Sequence, residues 1–339
     1  MQINFYELLK WLRENKEKIN NTLIKKIYKT YRNGIILELF KPGLSKKYLY
    51  LIPGLAVFLS DKKISLPADN FVMRLRKDFD GKRIEIDIYD NERIVVVRSN
   101  DNKKIFVELF PPGNIVVVDD NDTIQYALLQ RNFGIRKIRR GEKYIPPPSN
   151  FKIPNNFEEF KEIIVNSKRK DIVRALAIDL RLGGKYAEFL LGKLKIDKNK
   201  KPKDLSNSEL EMLWVAYKSF LTNNKIYYDG WSRDINESIE KYYLKYLEEE
   251  SLIKLKEKKE KLENILKTQL ESKYRLQREI ERLQKIGNFL MIYSWIFEEY
   301  NPKNIKKEFE KLGVKLEVKD DGPKLKINIR EEDLEKLIS

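Results

Sequence analysis

Cysteine and histidine are missing altogether from this chain of 339 residues. Without cysteine there is no disulfide framework, no thiolate nucleophile and no zinc finger. Without histidine there is no imidazole base, no Ser-His-Asp triad and no His-ligated metal. Any catalysis would have to run on carboxylates, lysines, tyrosines or the amino terminus. No apolar run approaches the roughly 20 residues that span a bilayer, and no signal-peptide pattern opens the chain. These absences predict a soluble, cytoplasmic protein with no membrane partner, no metal and no cofactor, and they argue against an ordinary hydrolase.

What is present is charge. Lysine and arginine number 68 against 52 aspartates and glutamates, a net +16, while 42% of residues are hydrophobic and supply ample core. A field of that sign gathers polyanions, with nucleic acid the first expectation and an anionic membrane surface the second. The Lys-Ile-Glu bias also fits a thermophile with an AT-rich genome, a reading in which part of the lysine excess is compositional. The length accommodates two or three domains of roughly 100 to 200 residues each.

Residues 3–20 place Phe5, Leu8, Leu9 and Leu12 at the spacing of an amphipathic helix. A strand-rich stretch follows, then a helix over Asn70 to Phe79 with Pro67 upstream and Gly81 as its stop. RIEIDIY and RIVVVRS are joined by a turn at Asp90, Asn91 and Glu92, and IFVELF and NIVVVDD bracket a Pro-Pro-Gly turn at 111–113. The Pro-rich stretch at 145–156 reads as a joint. Between Asp171 and Leu194, Gly183 and Gly184 separate two apolar helical runs, the spacing of a helix-hairpin-helix unit whose glycines admit a phosphate. A plain αα-turn with a glycine cap explains that spacing equally well.

From Leu252, steps of three and four give Leu255, Lys259, Leu262, Leu266, Gln269, Lys273, Leu276, Ile280, Leu283, Gly287 and Leu290, mostly apolar, as in a coiled-coil arm. The apolar stretch FLMIYSWIFEEY should pack on the small unit after it, where an Asp321-Gly322 turn joins two strands. With no returning helix before Ser339, the unpaired seam suggests either a truncated chain or a homodimer through the arm. The expected class is α+β: a β-rich domain over 1–148, a helical domain over 149–230, the arm over 231–300 and a small α/β tip over 301–339.

Several cations stand out. Arg74, Arg76 and Lys77 share about one helical turn and fan over more than one face. Arg131, Arg136, Lys137, Arg139, Arg140 and Lys143 form a denser cluster interleaved with Phe133 and Tyr144. Cations position a nucleic-acid backbone and aromatics can stack an unpaired base, although aromatics are more often core. Asp119, Asp120 and Asp122 read as a hairpin turn rather than a metal site. Lys198 to Lys203 reads as a solvated loop. By position alone Arg93 is a strand-end arginine paired with Glu92, and Glu7 a first-turn glutamate favoured by the helix dipole.

The order of these segments resembles the NFACT family, the RqcH and NEMF type of ribosome quality-control proteins, also called fibronectin-binding-like. The matching segments are Glu7 in the first helix, IKKIY ending at Tyr28, PADNFVMRLRK at 67–77, NERIVVV at 91–97, VELFPPGNIVVVD at 107–119 and RRGEKYIPPP. The resemblance implies an amino-terminal fold like formamidopyrimidine-type DNA glycosylases, a helix-hairpin-helix domain and a coiled-coil arm. It implies binding to a stalled large ribosomal subunit with peptidyl-tRNA, and recruitment of tRNA for untemplated carboxy-terminal tailing. It assigns tRNA contacts to Glu7 and to the Glu92-Arg93 step, with Glu at both places where the family usually has Asp. Arg74, Arg76 and Lys77 join that set. The cluster from Arg131 to Lys143, with Gly183, Gly184 and Lys185, is assigned to the nucleic-acid backbone. Two rivals remain. A DNA glycosylase would attack through an amino-terminal proline, but Gln2 and Ile3 follow Met1 here. A fibronectin-binding adhesin would ordinarily carry a signal peptide and repeats.

Overall fold

The computed structural model describes residues 2–43, 45–134, 136–148, 151–222, 226–227, 231–232, 234–298, 301–321 and 324–338. The chain divides into two compact units, Met1–Leu252 and Ile253–Ser339.

In the first unit, helix α1 (Phe5–Ile19) starts from a capping box. The Asn4 side chain accepts from the Glu7 N–H at 2.8 Å, and the Asn4 N–H donates to Glu7 Oε2 at 2.9 Å. Four strands follow, β1 (Thr22–Lys29), β2 (Ile35–Phe40), β3 (Lys47–Ile52) and β4 (Ala56–Ser60). Helix α2 (Asn70–Phe79), capped by Asp69, leads to β5 (Arg83–Ile88), β6 (Ile94–Ser99), β7 (Lys104–Glu108), β8 (Asn114–Val118) and β9 (Ile124–Ala127). They form one antiparallel sheet in the order β4-β3-β2-β1-β5-β6-β7-β8-β9. Two meanders thus meet where β1 pairs β5, through Thr22 opposite Ile84 and Leu23 opposite Arg83.

The near-continuous apolar runs of β6 to β8 follow from burial on both faces. Val95, Val97, Ile105, Val107, Ile115 and Val117 face the main core with Leu8, Trp11 and Leu75. Their neighbours Ile94, Val96, Phe106, Val116 and Val118 pack on the opposite side against Ile138 and Tyr144. A short hairpin, β10 (Arg131–Phe133) and β11 (Arg136–Ile138), contributes that Ile138.

The helical part comprises α3 (Phe157–Val165), α4 (Ile172–Arg174) running into a π-helical turn at Ala175–Asp179, α5 (Gly184–Leu194) and α6 (Asn207–Thr222). Its core joins Phe160, Leu176, Tyr186, Leu190 and Tyr217 to Phe5 and Tyr6 of α1. Helix α1 therefore serves two cores, Leu8 and Trp11 toward the sheet and Phe5 and Tyr6 toward the helices. Strands β12 (Ile226–Tyr227) and β13 (Trp231–Ser232) precede the long helix α7 (Ile235–Ile292). Its first turns seat Ile235, Ile239, Tyr243 and Leu247 on the sheet core, with Tyr243 stacked on Phe58 at 6.2 Å.

The second unit holds the rest of α7, then α8 (Ser294–Phe297), α9 (Pro302–Lys311), β14 (Glu317–Asp321), β15 (Lys324–Asn328) and α10 (Glu331–Ile338). Phe289, Ile296, Ile305, Phe309, Val314, Leu316 and Leu334 make its core. The turn expected at Asp321-Gly322 runs into residues 322 and 323, outside the described set. Along α7, Leu255, Leu262, Leu266, Leu276, Ile280 and Leu283 are each more than half exposed. Among the described residues no helix is long and apolar enough to cross a membrane.

Candidate nucleic-acid interface

Residues far apart in sequence meet at the start of α1. The β5–β6 turn places Asp90 and Asn91 in the left-handed region, both at φ 50°, which short polar side chains tolerate. Glu92 is thereby turned inward and buried. Its carboxylate accepts a two-pronged contact from Arg181, at 2.9 and 2.8 Å. Such a fork-to-fork pair fixes both position and plane. Arg181 also donates to the Asn91 carbonyl at 3.2 Å, and its guanidinium lies 4.5 Å from the Phe151 ring centre.

Glu7 plays the matching part on the helix. Lys185 Nζ and the Tyr186 hydroxyl each donate to Glu7 Oε1 at 2.8 Å, while Oε2 closes the capping box. Asn4 Nδ2 donates to the Leu182 carbonyl at 3.1 Å, so the glycine hairpin sits on the amino-terminal end of α1. Gly183 there adopts φ 76°, and Gly184 is exposed with open space where a Cβ would stand. The Glu7, Glu92-Arg93 and Gly183-Gly184-Lys185 segments thus form one place in the fold.

Both acids are buried and engaged, so they act by holding cations. Arg93 is different. Its guanidinium is half-buried and, among the described residues, makes two long contacts, 3.5 Å to Gln2 Oε1 and 3.5 Å to the Ile3 carbonyl. These lie at the edge of hydrogen-bonding distance. Burial, and then the neighbouring Arg181 charge, lower its hold on the proton, with Glu92 opposing. It stays charged nonetheless. A guanidinium with weakly committed donors beside a second guanidinium favours an incoming anion.

The Pro-Pro-Gly-Asn turn braces this end of the sheet. Gly113 sits at φ +77° so close to the β3–β4 turn that a Cβ would lie 2.3 Å from the Gly54 nitrogen. The Gly54 N–H donates to the Glu108 carbonyl at 2.8 Å, and Leu109 N–H donates to the Arg93 carbonyl at 2.8 Å. Asn114 clamps the next segment by exchanging bonds with both backbone groups of Leu129.

Four residues near the site escaped the sequence patterns. Arg181 lies ahead of the glycines in a left-handed conformation, φ 55°, that no spacing announces. Lys10 reads as a polar face of α1 yet is fully buried, its ammonium 3.8 Å from the Phe220 ring centre. Burial lowers its pKa to about 8, with Glu7 opposing and Arg13 adding to the drop. Tyr6 and Tyr217 join hydroxyls at 2.5 Å between α1 and α6. Only the i,i+3 spacing of Glu7 and Lys10 could have hinted at any of these.

Elsewhere the expected cations divide. Arg74 is exposed and lies over Tyr126 at 4.3 Å, Lys77 is exposed, and Arg76 Nε donates to the Ile27 carbonyl at 2.7 Å. Arg131, Lys137, Arg139, Arg140 and Lys143 are exposed around the β10–β11 hairpin. Arg136 must be corrected: its side chain is buried and ion-paired with buried Glu108, which also accepts from the Tyr144 hydroxyl at 3.0 Å. That guanidinium belongs to the core and not to a phosphate-facing rim. Tyr144 likewise stacks on Phe106 at 4.2 Å inside the second core, leaving no face for a base. The Phe133 side chain lies outside the described residues. Asp119 closes the β8–β9 turn by accepting from the Asn121 and Thr123 N–H groups at 3.0 and 2.9 Å. Among the described residues no cluster of three or more acidic side chains is placed to hold a metal ion.

Residues 7–231 match the family described as NFACT N-terminal and middle domains. The chain belongs to the NFACT family. It is 28% identical over 213 residues to the archaeal Rqc2 homolog aRqcH of Methanocaldococcus jannaschii, a match covering 52% of this chain and 31% of that protein. The chain therefore spans about a third of that relative's length. Among solved structures, the N-terminal part of the fibronectin/fibrinogen-binding protein of Streptococcus suis aligns with a TM-score of 0.57 and 20% identity. That match covers 72% of this NFACT chain and all of the other. At that identity the likeness shows a shared fold. The N-terminal domain of the fibronectin-binding protein PavA from Streptococcus pneumoniae gives a TM-score of 0.48 at 20% identity, covering 71% of this chain and all of that one.

Proposed function

We propose that this chain is the RNA-binding front part of a ribosome-associated quality-control factor. It binds large ribosomal subunits that hold peptidyl-tRNA after a stall, and recruits tRNA for untemplated tailing of the nascent chain. The observation that carries the reading is Arg93, a charged and under-committed donor set beside the Glu92–Arg181 pair at the start of α1. A guanidinium can meet a phosphate or a base edge with two parallel bonds. Glu7 holds Lys185, and Asn4 holds the glycine hairpin, at the same end of α1 as that donor set. Exposed Arg74, Lys77, Arg131, Lys137, Arg139, Arg140 and Lys143 supply the sequence-independent attraction. The role is binding rather than bond-making. Family membership and the Rqc2-homolog relative support the ribosomal setting.

Crosslinking in cells followed by sequencing of the bound nucleic acid tests the proposal. Enrichment of tRNA together with large-subunit RNA is expected, and recovery of DNA alone would overturn it. The α7 stripe is the surface through which two copies would pair. Sedimentation should then show a mass that rises with concentration, and a constant monomer mass would count against pairing.

A further inference from the structure

We propose a second RNA contact on β1 and β2, where Tyr28 takes the base of one unpaired nucleotide and Lys26 and Lys63 take its phosphate. The inference rests on the RNA-binding reading above but uses none of the residues named there. Three cations surround the partly exposed Tyr28 ring: Lys63 Nζ is 4.1 Å from its centre, Arg76 Cζ 5.8 Å and Lys26 Nζ 5.9 Å. The ring is anchored through its hydroxyl. Its hydroxyl donates to Glu38 Oε2 at 2.7 Å, and Glu38 is buried, with Lys46 at 3.0 Å and Lys25 at 4.0 Å from its other oxygen.

Register explains why these groups share a face. Lys26 lies opposite Glu38 and Glu38 opposite Tyr48, while Tyr28 stands two residues beyond Lys26. An irregularity between Ile24 and Lys26 leaves both Lys25 and Lys26 exposed. Burial favours the neutral form of Glu38, but the Tyr28 hydroxyl and Lys46 prevail and hold its pKa below the usual range. Burial and the bond to Glu38 push the Tyr28 phenol up to about 12, so it remains a donor.

The charges do not balance. Lys25, Lys26, Lys46, Lys63 and Arg76 lie near the carboxylates of Glu38 and Asp80, and among the described residues one buried Asp80 oxygen has no partner. Lys26 and Lys63 make no ion pair among the described residues. An anchored aromatic ring with surplus cations at its rim matches a nucleotide, whose base stacks while its phosphate is neutralised. An acidic peptide would use the cations without needing the ring.

The test uses the full chain, a single-stranded RNA oligonucleotide and total tRNA in filter binding over a salt series. Replacing Lys26 and Lys63 together by glutamine should flatten the slope of log affinity against log salt by roughly one to two. Tyr28→Leu should weaken binding at least about fivefold, while Tyr28→Phe and Tyr28→Trp, which keep a ring, should stay within about twofold. Circular dichroism checks the fold. Should Tyr28→Leu not fold, the lysine pair and Tyr28→Trp still decide. An unchanged slope in the lysine pair overturns the inference, as does equal binding by Leu and Trp at position 28. Wild-type protein without RNA affinity would overturn the proposed function itself. Loss on Arg93→Ala alone, with the Tyr28 and lysine variants unaffected, would overturn only this second contact.

Discussion

Two carboxylate–guanidinium sites in the first unit use the same chemistry to opposite ends. At Glu108 and Arg136 both partners are buried, the Tyr144 hydroxyl joins them, and the group fastens a hairpin to the sheet. At Glu92 the carboxylate accepts both prongs of Arg181, yet the adjoining Arg93 keeps its donors on long contacts. The first site is closed on itself. The second spends a buried acid to hold a cationic surface open. An arginine beside a glutamate is therefore not informative until the number of guanidinium groups per carboxylate is known.

The comparison breaks most sharply at the closed site. Arg136→Met strands the Glu108 charge in the core and should cost about 3–5 kcal/mol in urea unfolding. Adding Glu108→Gln should return part of that loss. Equal stability of Arg136→Met and wild type would remove the distinction between the sites.

Lys10 makes a prediction of similar size in pH. Its pKa falls to about 8 in the folded chain and is ordinary when unfolded, so the unfolded state binds more protons above about pH 8. The penalty for burying the charge is therefore full below pH 8. It is relieved as pH rises toward the ordinary lysine value, at most by about 3 kcal/mol. Lys10→Met should flatten that rise in denaturant titrations between about pH 8 and 10. A wild-type profile already parallel to the variant's would contradict the assignment.

Gly113→Ala combines a left-handed φ with the contact on Gly54 and should destabilise by about 2 kcal/mol or more. It should also weaken tRNA binding, because the same turn anchors Arg93 through Leu109. A fully stable variant would show that the turn can shift without consequence.

Much of the sheet was legible in the sequence because strand alternation and turn residues are local. RIEIDIY, RIVVVRS and the Asp90-Asn91 turn occur as read, as does α2 between Asp69 and Gly81. The shared site was legible only in pieces. Glu7, Arg93 and Gly183 could be marked, but their meeting depends on α1 serving two cores, which no local pattern shows. Arg136 was misread because an exposed cluster and a buried pair look alike in a run of cations. Lys10 was missed because its partner ring, Phe220, lies 210 positions away in the chain. The surplus around Tyr28 was invisible for the same reason: Lys26, Glu38, Lys63 and Arg76 come from four separate segments.

The most direct test of the account is tRNA affinity of wild type and Arg93→Ala by filter binding at moderate salt, with thermal unfolding of both alongside. The account predicts roughly tenfold weaker binding for the variant with stability unchanged to within about 1 kcal/mol. Equal affinity in two equally stable proteins would contradict it.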